Sequence, residues 1–140
     1  MLELNPQNPY LPEAEKKLDK YEKGLLFKLP AVLHLGEKIA MKVLQEGLGY
    51  LACQNISNIE IGRYIVGSMP KLWVEENIEN AAKNTLDIDH DDWEYRRLME
   101  LYVLLGFKNA QTFLIARGRA SSNKEIQECA ADFENPNCRN

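Results

Sequence analysis

Hydrophobic residues recur along this chain at the three-to-four-residue spacing of amphipathic helices, and no segment alternates apolar and polar positions for long enough to suggest a strand. Pro6 and Pro9, set among Asn5 and Asn8, predict an extended lead-in over residues 1–11, with Tyr10 and Leu11 placed to staple it to a core. Pro12 suits a first helical turn and opens a helix over 12–26 with Leu18, Tyr21 and Leu25 on one face. Pro30 opens the next in the same way. Two apolar stripes run down it: Val32, Gly36, Ile39, Val43, Gly47 and Tyr50, then Leu33, Ala40, Leu44, Leu48 and Leu51. So wide an apolar surface predicts one central helix over about 31–52, touched from several sides. Gly36, Gly47 and Gly49 each cost about 1 kcal/mol against alanine in a helix. They predict either a close helix approach or a break near Gly47.

Ser57 with Glu60 three residues on forms a capping-box pattern for a helix over 58–69, which Pro70 ends. A helix over 71–84 places Leu72, Trp73 and Ile78 inward and Glu75, Glu76 and Glu79 outward. An Asp-rich connection fills 85–90. Asp91 or Asp92 then caps the strongest helix, 93–105, which Gly106 stops. A short helix over 109–116 turns Ala110, Phe113 and Leu114 inward and closes at Gly118. Ser121 or Ser122, with Glu125, caps a last helix whose inward face is Ile126, Cys129, Ala130 and Phe133. Residues 135–140 read as a frayed tail. The pattern predicts an all-α fold, a compact bundle of about six or seven helices around the 31–52 helix. A chain of 140 residues is the size of one ordinary domain, so 1–140 is expected to fold as one.

Composition adds the class. The apolar fraction is 45% and the charged fraction 27%, a globular balance rather than a disordered one. No run is apolar enough to span a bilayer, and the N-terminal residues lack the basic and apolar regions of a signal peptide, so the expected compartment is cytoplasmic. Cys53, Cys129 and Cys138 are odd in number, widely spaced and expected as thiols, the first two as small buried hydrophobes.

Charge is unevenly spread. Residues 1–50 hold seven acidic and seven basic groups, whereas the window 75–100 holds nine acidic against Lys83, Arg96 and Arg97. Phosphate contacts need clustered lysine and arginine, so nucleic acid is a poor partner for that window and a basic protein a good one.

Motifs for chemistry are sparse. Asp87, Asp89 and Asp91 open like a calcium loop, but Asp92 and Leu98 stand where its glycine and bidentate glutamate belong, so no metal is expected. His34 and His90 are far apart and neither belongs to a zinc-spaced cluster. Nucleophile elbows and phosphate-binding glycine loops are absent, which leaves no catalytic residue and no cofactor to name. Arg96 has Asp92 and Glu100 at i,i+4 for local pairing, and Arg117 and Arg119 complement the end of their helix. Trp73 and Trp93 flank the acidic window as core anchors or, if exposed, as contact residues.

These features predict a non-catalytic protein-binding module that meets a basic partner through Glu75, Glu76, Glu79, Asp87, Asp89, Asp91, Asp92 and Trp93. Immunity-type inhibitors of basic toxins share this profile as a class. Two readings compete. One is a small-molecule binder or enzyme with a pocket near His34, using His34 or Tyr50 with a carboxylate. The other is a helix-turn-helix regulator built on 57–83, whose recognition helix would carry three acids against two bases. A homo-oligomer is compatible with all three.

Overall fold

In a computed structural model, residues 2–135 are described, and all regular structure among them is helical, as the hydrophobic spacing predicts. The seven α-helices among those residues are α1 (Leu11–Asp19), α2 (Glu37–Leu51), α3 (Ile56–Ser68), α4 (Lys71–Thr85), α5 (Asp92–Leu105), α6 (Lys108–Arg119) and α7 (Lys124–Glu134). Two 3-10 segments, Leu25–Phe27 and Leu29–Leu35, lie between α1 and α2. The chain divides into two compact units, Met1–Thr85 and Leu86–Asn140. Cys138 and most of the expected tail fall outside the described residues.

In the first unit α2 packs on both α3 and α4. Leu44, Leu48 and Leu51 of α2, Ile61 and Ile65 of α3, and Val74 and Ile78 of α4 are completely buried. The crossing of α2 and α3 is set by two glycines. A Cβ built on Gly62 would lie 2.7 Å from both the Gly47 carbonyl oxygen and the Leu51 nitrogen, and one on Gly47 would lie 2.9 Å from Ile65 and Val66 side-chain carbons. Backbone can touch backbone there because neither residue has a side chain. Of the two roles the sequence allowed Gly47, close approach is the one it has.

The single central helix over 31–52 is corrected. Its first part is the 3-10 segment Leu29–Leu35, and α2 begins only at Glu37. The break is Gly36, at φ 97° and ψ 155°, a backbone conformation that L side chains avoid. Leu33, expected on an inward stripe, is 36% exposed in consequence. The first helix likewise stops at Asp19 rather than near residue 26. The Asp19 carboxylate accepts the Gly24 backbone N–H at 2.9 Å, and Gly24 turns left-handed at φ 75°. That reversal buries Leu25 and Leu26.

Most helix starts were legible to within a residue or two, but their capping side chains were not. Asn55, not Ser57, caps α3 by accepting the Ser57 N–H at 2.8 Å. Asn123, not a serine, caps α7 through the N–H groups of Glu125 and Ile126. Asp91 caps α5 as expected, and Gly106 ends it in the left-handed conformation. The lead-in is fastened by Asn8, buried at 5% exposure, whose amide donates to the Ser57 carbonyl at 2.9 Å and accepts the Tyr10 N–H.

In the second unit α5, α6 and α7 pack pairwise. Gly118, expected to close a helix over 109–116, instead sits inside α6, against the Tyr95 hydroxyl and 2.8 Å (from a built Cβ) to Ala130. Tyr95 is fully buried there and its hydroxyl donates to the Leu114 carbonyl at 2.7 Å. Ala110 and Leu114 face inward as expected, joined by Gln111 and Gly118, but the phase that buries these four leaves Phe113 56% exposed. Arg96 pairs with Asp132 of α7 at 3.6 Å, while Arg97 pairs locally, with Glu100 at 3.0 Å. Burial pushes the Cys129 thiol up to about 11, with Arg96 pulling the other way.

Two outcomes follow from this packing. Gly62→Ala should destabilise the chain by about 3 kcal/mol in urea unfolding, because its methyl meets backbone that cannot yield. Gly49→Ala, which meets nothing within 4 Å, should instead stabilise by about 1 kcal/mol. The second outcome concerns pH. Cys129 keeps its proton to about 11 when folded, against an ordinary thiol value of 9.0. Stability from this group is therefore complete below the lower value and is lost as pH rises towards the upper one, by roughly 2 kcal/mol. Unfolding curves from pH 8 to 10.5 should show that loss, and Cys129→Ala should flatten it.

Candidate functional site

The acidic residues singled out by the sequence fall in both units and have different occupations. On α4, burial of Trp73, Val74, Ile78, Ala81 and Ala82 against the first unit fixes which side faces out. Leu72, Glu75, Glu76 and Glu79 then share the opposite face, at i, i+3, i+4 and i+7. Leu72 was expected inward and is 76% exposed, because the helix phase that buries Trp73 and Val74 turns it to solvent. The three glutamates are exposed and make no hydrogen bond or ion pair among the described residues. Trp73 is a core anchor, 8% exposed, and its indole N–H donates to Glu37 of α2 at 3.3 Å.

The second unit uses its carboxylates on itself. Asp91 accepts the Glu94 N–H at 3.1 Å as the α5 cap, and Asp92 lies in the first turn, where the helix dipole favours negative charge. Asp87 meets His90 Nδ1 at 2.9 Å. Asp89 takes both the Nε and an Nη of Arg117 at 2.7 Å, a paired contact that holds the 87–91 turn to α6. The Asn123 amide donates to the His90 carbonyl at 2.9 Å and holds the same turn to the start of α7. Burial raises the Glu94 carboxyl above its usual range, with Asp91 adding to the effect. Trp93 is half-buried, with the Arg97 guanidinium 4.2 Å from its ring centre. Of the eight predicted contact residues, the three glutamates of α4 are thus the ones without a local structural task.

A site that the sequence only half indicated lies in the first unit. A cavity of about 330 Å³ opens between α1, α2 and the start of α3. Tyr10, Glu13 and Lys17 form one side, Glu46, Gly49, Tyr50 and Cys53 another, and Asn58 completes it. Lys17 is held by Glu13 at 3.1 Å and stands 4.9 Å from the centre of the Tyr50 ring. Glu46 Oε1 accepts from Lys20 at 2.7 Å and from the Tyr21 hydroxyl at 3.5 Å. Its Oε2 and Asn58 Oδ1 are shut off from solvent without a hydrogen-bond partner, and the Tyr50 hydroxyl lies against the Lys17 ammonium. Burial raises the Tyr50 phenol above its ordinary value, partly offset by the charge of Lys17. The Glu13 contact raises Lys17. Cys53 is only half-buried and its thiol donates to the Gly49 carbonyl at 3.6 Å, so it is not the buried hydrophobe the sequence suggested.

A pocket near His34, using His34 or Tyr50 with a carboxylate, was one competing expectation, and Tyr50 does share this cavity with Glu46. His34 does not line it. Its side chain is 70% exposed on the 3-10 segment and 3.8 Å from Glu22, because the Gly36 break takes it off α2. The legible signal was a polar line, Glu46, Tyr50 and Cys53 at i, i+4 and i+7, on an otherwise apolar stretch. The helix-turn-helix expectation meets its difficulty in the geometry. α4 does follow α3 after Met69 and Pro70 alone, but the face it exposes carries the three glutamates.

Among the described residues no three His, Cys, Asp or Glu side chains gather as metal ligands, and no helix is long and apolar enough to cross a membrane. No protein-family model, curated protein or solved structure matches the chain.

The split between structural and unoccupied carboxylates is measurable. Asp91→Ala should cost about 1 kcal/mol in urea unfolding through loss of the α5 cap. Glu75→Lys should change stability by less than about 0.5 kcal/mol, as a surface position without a partner.

Proposed function

We propose that this protein is a non-catalytic binding module that docks a basic protein partner on the outer face of α4. The observation that carries the reading is the α4 stripe. An exposed leucine stands in line with three carboxylates, none of which is used within the fold. An apolar anchor beside unpaired charge is the composition of a contact surface. The leucine supplies area to bury, and the glutamates steer and register a cationic partner. Asp87, Asp89, Asp91, Asp92 and Trp93 are left out of this docking face, since their local contacts already occupy them.

An inhibitor of a basic toxin, the immunity type of binder, is the finer form of this reading. It is supported by the acidic window and by fast, steered association being what such an inhibitor requires. The compartment that suits it is cytoplasmic.

The test is co-purification of the tagged protein from its own host at low and moderate salt, beside the variant Leu72→Ala, Glu75→Lys, Glu76→Lys, Glu79→Lys. The expected result is a stoichiometric basic protein whose affinity for the variant falls by at least about tenfold and weakens with salt. A partner held equally well by the variant would place the interface elsewhere. Recovery of the protein alone would count against a docking role.

A further inference from the structure

Residues 1–50 balance in charge, but their lysines are unevenly spread. Between residues 16 and 42 seven lysines meet only Asp19, Glu22 and Glu37. All three acids are engaged. Asp19 accepts the Gly24 N–H, Glu37 accepts from the Trp73 indole, and Glu22 lies 3.8 Å from both Lys28 and His34. Glu22 thereby ties the turn that carries Lys23 to both 3-10 segments. Lys23, Lys38 and Lys42 are exposed and make no hydrogen bond or ion pair among the described residues. Apolar side chains are exposed in the same stretch. About three residues complete a 3-10 turn, so burial of Leu29 and Val32 leaves Pro30, Ala31 and Leu33 outside. Phe27, on the preceding segment, is 57% exposed.

We propose that this lysine-rich surface, with Phe27 and Leu33 as its apolar anchors, receives the α4 face of a second copy of the chain. The two faces complement each other in kind. One offers Leu72 and three free carboxylates, the other Phe27, Leu33 and three free ammonium groups. Neither set of charges is used within its own chain. In contact, each would neutralise the other, and Leu72 would be buried against Phe27 or Leu33. Two different faces of one chain meet, so the contact is head-to-tail and assemblies grow with concentration instead of closing as a symmetric dimer. Exposed ion pairs contribute little each, which makes the contact weak and sensitive to salt. This interface rests on the α4 reading and supplies the cover of that face when no other protein holds it. A partner richer in positive charge displaces the second copy.

The experiment is sedimentation velocity of the full chain over a range of concentrations, at low and moderate salt. It is paired with zero-length carbodiimide cross-linking of an equal mixture of unlabelled and ¹⁵N-labelled chains. The expected result is a mass that rises with concentration above the 16.1 kDa of one chain and returns to it as salt is added. Cross-linked peptides carrying both isotopes should join Glu75, Glu76 or Glu79 to Lys23, Lys38 or Lys42. Two charge-reversed variants sharpen the assignment, one Glu75→Lys, Glu76→Lys, Glu79→Lys and the other Lys23→Glu, Lys38→Glu, Lys42→Glu. Each alone should stay at the mass of one chain, and their equal mixture should associate. Phe27→Ala with Leu33→Ala should weaken self-association by about tenfold and leave capture of a foreign basic protein, which needs only α4, unchanged. A parent chain that stays at the mass of one chain at every concentration would overturn the second-copy interface, and a foreign partner still lost with the α4 variant would leave the docking reading standing. Association that survives in either reversed variant alone, or mixed-isotope links confined to other residues, would overturn it equally.

Discussion

The contact of Gly62 with the α2 backbone is the constraint on which the first unit rests. With Gly62 against the Gly47 carbonyl and the Leu51 nitrogen, the two helix axes come nearer than any side chain would allow. Leu44, Leu48, Ile61 and Ile65 of the same two helices are fully buried. The same approach sets the start of α3 beside the last turns of α2, so Asn58 faces the cavity that Glu46 and Tyr50 line. Each glycine is unfavourable for its own helix. The packing that their absent side chains permit offsets that cost. Gly118 against Tyr95 and Ala130 does the corresponding work in the second unit.

Carboxylates of similar sequence surroundings have opposite roles in the two units, and position along the helix explains why. Asp91 and Asp92 sit at a helix start, where a free N–H group and the helix dipole attract negative charge, and Asp87 and Asp89 sit in the preceding turn within reach of the His90 and Arg117 side chains. Glu75, Glu76 and Glu79 sit in the middle of α4, where every backbone group is already bonded within the helix. Only solvent or another molecule is left for them. An acidic window seen as one block of charge is therefore two things, a scaffold and a surface.

Sequence periodicity by itself determined that the chain is helical, where α3 to α7 lie to within a few residues, that Asp91 and Gly106 bound α5, and that the α4 glutamates face out. These are properties of residues within four or five positions of one another, and local spacing encodes them fully. Tertiary structure decided the rest. It made Gly36 rather than Gly47 the breaking point, drew Gly118 into α6, exposed Leu72 and Phe113, sent Arg96 to Asp132 and Arg117 to Asp89, and assembled Tyr50 with Asn58. In each of these cases the deciding atoms belong to another element or to a backbone conformation set by one. An apolar stripe specifies that something must cover it, whereas the identity and distance of the cover are fixed only when the helices meet.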